Sequence, residues 1–114
     1  MKKSSRGPTQ RQLRVGEELR HVLANVFEKG VVRDPGLAGV SLTVTEVRAG
    51  ADLRSATVFV VPLGGGDADT MLSALARARP FLRRRIADEV RLKFIPDLIF
   101  RLDSSFDEAQ RIER

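Results

Sequence analysis

The chain has 114 residues, 42% of them hydrophobic, which is enough for one packed domain and too few for two. It carries 20 Lys and Arg against 15 Asp and Glu, a formal net charge of +5, and no Cys. That composition excludes wholesale disorder, a disulfide framework, a thiolate metal site and a cysteine nucleophile.

Residues 1–8 read as a flexible basic arm; the stretch is charged but has no apolar run behind it, so it is not expected to be a secretory signal. Thr9 with Gln12 three positions on forms a capping box that opens a helix. Val15, Leu19, Val22, Leu23 and Val26 then recur at helical spacing with Phe27 beside them, and Lys29-Gly30 supplies the stop. Asp34-Pro35-Gly36 breaks the chain. From Val40 to Val47 the sequence alternates, with Val40, Leu42 and Val44 on one face and Ser41, Thr43 and Thr45 on the other. A turn containing Gly50 leads to a second strand over Ser55–Val61, closed by Pro62.

Gly64-Gly65-Gly66 forms a loop, and Asp67 or Asp69 can cap the next helix. Met71, Leu75, Ala78, Leu82, Ile86 and Val90 make one apolar stripe, with Arg77, Arg84 and Arg91 roughly opposite and Arg79, Arg83 and Arg85 flanking it. Pro80 would cost about 3 kcal/mol inside a continuous helix and biases Arg79 away from helical geometry. Two helices are therefore expected, about 68–78 and 80–93, meeting at a kink around Ala78-Arg79-Pro80. Leu98, Phe100 and Leu102 alternate with Ile99 and Arg101 in a third strand. The folded domain is expected over 9–103, and 104–114 as a short helix or tail.

The order α-β-β-α-kink-α-β predicts an α+β domain. An antiparallel hairpin and a helical crossover to a parallel strand give a mixed three-stranded sheet. Helices cover its one apolar face, and the other face is expected to be polar.

Most candidate chemistry fails on inspection. His21 lies alone in the first helix with no nucleophile or orienting carboxylate around it, so it reads as a surface residue. Asp103-Ser104-Ser105 reads as a turn and helix cap. Asp88 and Glu89 are adjacent in a helix and point about 100° apart. The triple glycine lacks the endings of a phosphate or dinucleotide loop. Gly36-Leu37-Ala38-Gly39 matches G-x-x-G but precedes a strand, whereas the nucleic-acid clamp of that pattern joins two helices. No metal-ligand cluster or cofactor motif emerges.

Binding survives. Residues 1–14 hold Lys2, Lys3, Arg6, Arg11 and Arg14 with no acid, and residues 77–93 hold Arg77, Arg79, Arg83, Arg84, Arg85, Arg91 and Lys93 against Asp88 and Glu89. The remainder is net acidic, so the molecule is polarised toward an anionic partner. Arginine suits phosphate. With no Tyr or Trp, and Phe mostly at core spacing, recognition of phosphate and RNA shape is favoured over base stacking. A basic amphipathic helix also suits a membrane surface, but its apolar stripe is needed over the sheet.

The arrangement resembles the ribosome-binding factor A family over nearly its full length. Four blocks carry the resemblance: Arg14-Val15-Gly16-Glu17-Glu18-Leu19-Arg20, Leu42-Thr43-Val44-Thr45-Glu46-Val47-Arg48, Asp52-Leu53-Arg54-Ser55-Ala56-Thr57-Val58-Phe59-Val60, and Arg91-Leu92-Lys93-Phe94-Ile95-Pro96-Asp97-Leu98-Ile99-Phe100 with Asp103-Ser104-Ser105. The resemblance implies a type II K-homology-like fold in which an interhelical kink at an alanine, here Ala78, replaces the glycine loop. Family members often have glycine two positions later, where this chain has Pro80. It further implies a monomeric, cytoplasmic, non-enzymatic factor that binds the immature small ribosomal subunit alongside assembly GTPases. Such factors support late maturation and processing near the 5′ end of the small-subunit rRNA precursor, and growth in the cold. RNA contact is assigned to the kinked basic helices, with the N-terminal cations as helpers.

Overall fold

The computed structural model describes residues 7–64 and 67–105. Its elements are α1 (Gln10–Lys29), β1 (Ser41–Ala49), β2 (Ser55–Leu63), α2 (Ala68–Arg77), α3 (Arg79–Glu89) and β3 (Asp97–Leu102), with a short 3-10 turn at Pro35–Leu37 before β1. The sheet order is β1-β2-β3, with β1 antiparallel and β3 parallel to β2. This is the mixed three-stranded α+β architecture expected from the element order.

Local chemistry accounts for the helix ends. The Thr9 side chain accepts from the Gln12 backbone while the Gln12 side chain accepts from Thr9, so two orphan amides at the start of α1 are satisfied reciprocally. Gly30 adopts the left-handed conformation at the other end, with φ 65°. Asp67 caps α2 through Thr70. Between them, α1 contributes Val15, Leu19, Val22, Leu23 and Val26 to the core, and the kinked pair contributes Met71, Leu75, Ala78, Leu82 and Ile86. These meet Val44, Val47, Val58, Val60 and Leu98 of the sheet. At Gly16 the helix crosses β1 so closely that a Cβ would stand 2.4 Å from the Val47 carbonyl oxygen.

Three sequence expectations are corrected. In β1 the register against β2 shifts between Val44 and Glu46, leaving Thr45 as an extra residue. The strict alternation from Val40 would have turned Val47 and Ala49 outward; the bulge returns both to the core. Pro62 does not close β2 but pairs with Leu42 inside it, tolerated because the β3 register ends at Val60↔Leu102 and leaves that side of β2 unpaired. The outer sheet face is not purely polar. Phe59 lies there half-buried with the Arg48 guanidinium 4.7 Å from its ring centroid, and Ile99 is exposed.

The second helix of the kinked pair also differs. It begins at Arg79, not after it, and ends at Glu89, so Arg91 and Lys93 leave the helix for the loop before β3. Pro80 occupies the first turn, where its missing N–H has no intrahelical acceptor to lose. The early end follows from packing. Leu92 lies six positions after Ile86, off the buried stripe of a continued helix, yet both Leu92 and Ile95 pack on the core. An extended Val90 (φ −127°, ψ 135°) makes that possible.

Candidate nucleic-acid interface

Ala78 is the hinge of the site. It is at once the C-cap of α2 and the N-cap of α3, with φ −83° and ψ −4°. Its N–H is shared between the carbonyls of Ala74 and Leu75, each at 3.1 Å, and its own carbonyl accepts from Leu82. The residue is buried at the bend, so a small side chain lets two helices share one residue over the core.

An open groove of about 710 Å³ lies between this junction and the start of β3, lined by Arg77, Arg79, Pro80, Arg83, Leu98 and Ile99 among others. Four residues of the expected RNA-binding and kink set thus share one concavity. The guanidinium groups along the pair are not equivalent, because successive helical positions point about 100° apart. Arg83 turns back into the fold, donating to the Ile95 carbonyl at 2.8 Å and the Pro96 carbonyl at 3.1 Å. Arg79 reaches the Leu98 carbonyl at 3.4 Å. Arg85 approaches Glu89 at 3.6 Å along the helix. Arg84 stands exposed and makes no ion pair among the described residues.

Arg77 is held from outside the pair. It donates to both oxygens of Asp34, at 2.9 and 3.0 Å, and Asp34 also caps the 3-10 turn through the Gly36 N–H. The Arg77 hydrogen bond, followed by the Gly36 amide, pulls the Asp34 carboxyl down to about 2. A Cβ on Gly36 would lie 2.8 Å from the Ala74 methyl, so the turn seats directly on α2. The positive charge of Arg77 at the α2 terminus is therefore offset by a bidentate pair.

The N-terminal block meets the other one at a second point. Arg11, in the first turn of α1, lines a smaller cavity of about 240 Å³ together with Lys93 and Phe94. The Gln12 side chain donates to the Ala49 carbonyl and ties this helix end to the turn after β1. Arg14 is exposed on the same helix and does not line that cavity; Lys2, Lys3 and Arg6 lie outside the described residues. Arg91 is exposed in the loop after α3. Spacing in the chain gives no role to Arg54, whose guanidinium sits 3.9 Å from the Phe94 ring centroid. Only the topology, which brings the β1–β2 turn beside the α3–β3 loop, reveals it.

The remaining candidates settle into structural roles. His21 is exposed, 3.2 Å from Glu17. Asp103 accepts from the Ser105 N–H and the Thr45 hydroxyl, as a turn residue does. No group of three or more potential metal ligands occurs among the described residues, and none of their helices is long and apolar enough to cross a membrane. The apolar stripe of the kinked pair is spent on the core, with Met71, Leu75, Leu82 and Ile86 at most 1% exposed.

A mixed three-stranded sheet, helices over one face, and a helix pair bent at an alanine beside a basic groove define a K-homology-like α+β domain. The chain belongs to the ribosome-binding factor A family, whose sequence model matches residues 11–114. It is 62% identical over 109 residues to ribosome-binding factor A of Rhodospirillum rubrum, covering 96% of this chain and 66% of that protein. The Paramagnetospirillum magneticum protein of the same name is 57% identical over 113 residues, covering 99% of this chain and 80% of its own length. The crystal structure of ribosome-binding factor A from Thermus thermophilus superposes with a TM-score of 0.69 at 28% identity, over 80% of this chain and 93% of that one. A homology model of the Thermus thermophilus factor, fitted into a cryo-EM map of its 30S complex, superposes with a TM-score of 0.62 at 29% identity, over 78% of this chain and 91% of that one.

Proposed function

We propose that this chain binds rRNA of the immature small ribosomal subunit through the outer side of the α2–α3 pair. Arg79, Arg84, Arg85, Arg91 and Lys93 supply phosphate contacts. Arg77 and Arg83 shape the groove, and the N-terminal cations Lys2, Lys3, Arg6, Arg11 and Arg14 assist. The observation that carries this reading is the set of exposed cations Arg84, Arg91 and Lys93 beyond the Ala78 bend, on a fold whose Thermus thermophilus counterpart was fitted in a 30S complex.

The action is stoichiometric. Bound as a monomer in the cytoplasm, the factor holds rRNA in an immature arrangement during late maturation and 5′-end processing, until subunit structure or an assembly GTPase releases it. No catalytic step and no cofactor is required. A planar guanidinium on a rigid helix recognises phosphate positions and RNA shape without reading sequence.

Reversing Arg84 and Arg85 to Glu tests the surface. Co-sedimentation with small subunits is expected to fall sharply while the circular dichroism spectrum is unchanged. Undiminished co-sedimentation would remove this surface from the reading. Affinity should also fall steeply with salt, the logarithmic slope being about −0.7 to −0.9 for each phosphate neutralised.

A further inference from the structure

Phe94 is unlike the other described phenylalanines. Phe27, Phe81 and Phe100 pack against the core, and Phe59 lies half-buried on the outer sheet face. Phe94 does neither. It is 41% exposed, although its neighbours Leu92 and Ile95 both turn inward. The ring is thus not held by the core; its contacts are cations on the surface.

The surroundings of that ring are assembled from three separate elements. Arg54, from the β1–β2 turn, stacks 3.9 Å from the centroid, and Lys93 Nζ lies 5.5 Å from it. Arg11, from the first turn of α1, faces the same cavity of about 240 Å³, with Gln12 and Asp52 also in its lining. The turn that presents Arg54 is held in a costly shape. Leu53 adopts a left-handed backbone with φ 61°, a conformation that side chains other than glycine rarely take. Its N–H is bonded to the Gly50 carbonyl, and the Arg54 N–H to Asp52 Oδ1.

The cavity is smaller than the ~300–1,000 Å³ of ordinary small-molecule pockets, room for one planar ring system and not for a helix. A ring backed by a guanidinium, flanked by two further cations, fits a flat aromatic group that carries phosphate on both sides. We propose that this corner is a subsite for a single unpaired RNA nucleotide. Its base stacks on the Phe94–Arg54 pair, and its flanking phosphates meet Arg11 and Lys93. The Asp52 carboxylate keeps an oxygen able to accept from an exocyclic amino group. The subsite rests on the RNA-binding reading above but not on the Ala78 groove. The two are joined through the Ile95 and Pro96 carbonyls that Arg83 holds. One RNA then lays a structured segment on the kinked helices and a splayed base on the loop beyond them.

The test uses the full chain with two probes, a short single-stranded oligoadenylate and a fully paired RNA hairpin. Nuclear magnetic resonance should show upfield shifts of base protons and matching changes at the Phe94 ring with oligoadenylate. Phe94→Leu keeps the apolar bulk and removes the π face; it should lose about fivefold or more in oligoadenylate affinity. Arg54→Gln should lose affinity in the same direction. Hairpin affinity separates the two readings: the Arg84, Arg85 reversal should weaken the hairpin more than the oligoadenylate, and Phe94→Leu the opposite. If that reversal spares the hairpin, the reading of the outer side of the α2–α3 pair fails and the subsite stands. Oligoadenylate affinity unchanged in Phe94→Leu overturns the subsite. Equal displacement of the oligomer from wild type and Phe94→Leu by inorganic tripolyphosphate also overturns it, because phosphate alone would then carry the binding.

Discussion

Arg83 and Arg84 are adjacent in sequence and opposite in use. Arg83 is folded back onto the Ile95 and Pro96 carbonyls, as Arg77 is folded onto Asp34 from the neighbouring helix. Arg84 stands in solvent, as do Arg91 and Lys93 in the following loop. One side of the kinked pair uses arginine as a fastener, and the other leaves it in solvent, where the proposed RNA contact would use it. Net charge counts both groups alike, so a basic block overstates the cations available to an anion. Guanidinium suits both tasks because its fork can grip two oxygens at once, whether carbonyls of the fold or oxygens of a phosphate.

The most severe way to break the comparison is to remove what both sides stand on. Leu82 is fully buried beneath α3, and Leu82→Ala should cost about 2–5 kcal/mol in chemical denaturation, with fasteners and free cations lost together. Arg83→Ala separates them. It abandons two part-buried carbonyls and should cost about 1–2 kcal/mol, discounted for the solvent around the guanidinium. Lysine at that position should recover only part of the loss, because an ammonium lacks the rigid fork. Arg84→Ala should change stability by less than about 0.5 kcal/mol in the same assay while lowering affinity for small subunits. Similar stability losses in Arg83→Ala and Arg84→Ala would erase the distinction.

What was legible in the chain was whatever is decided locally. The capping box at Thr9 and Gln12, the stripe from Val15 to Val26, and the stripe from Met71 to Ile86 each depend on residues within a few turns of one another. The bend at Ala78 was visible because proline has only a few tolerable places in a helix. Its exact form was not: Arg79, expected outside the helix, is the first residue of α3, because Pro80 finds room in that first turn. The bulge at Thr45 is marked in the chain only by two successive polar residues, Thr45-Glu46, before Val47, a phase shift that a single period-two pattern from Val40 does not follow. The end of α3 was hidden because Val90 prolongs the helical stripe, while the demand that ends it comes from Leu92 and Ile95 reaching the core. Partners were least legible of all. Asp34 lies 43 residues from Arg77, and nothing in either stretch announces the other.

That distant pair supplies the finest test of the fastener side, through pH. The Asp34 carboxyl is held at about 2, below its ordinary 3.8, chiefly by the Arg77 hydrogen bond and then by the Gly36 amide. Because the folded value is the lower one, the unfolded chain binds the proton more readily, and acid favours unfolding. The stability due to the pair should be fully present above 3.8 and should disappear as pH falls toward 2. Asp34→Asn retains an acceptor for Gly36 but removes the charge, so it should flatten the acid limb of a melting-temperature profile across that window. It should leave the neutral-pH affinity of Arg84 for RNA phosphate in place, or raise overall RNA affinity slightly by releasing Arg77 from its partner. An acid limb identical to wild type would mean that Asp34 and Arg77 do not fasten the 3-10 turn to α2, and that Arg77 belongs with the free cations.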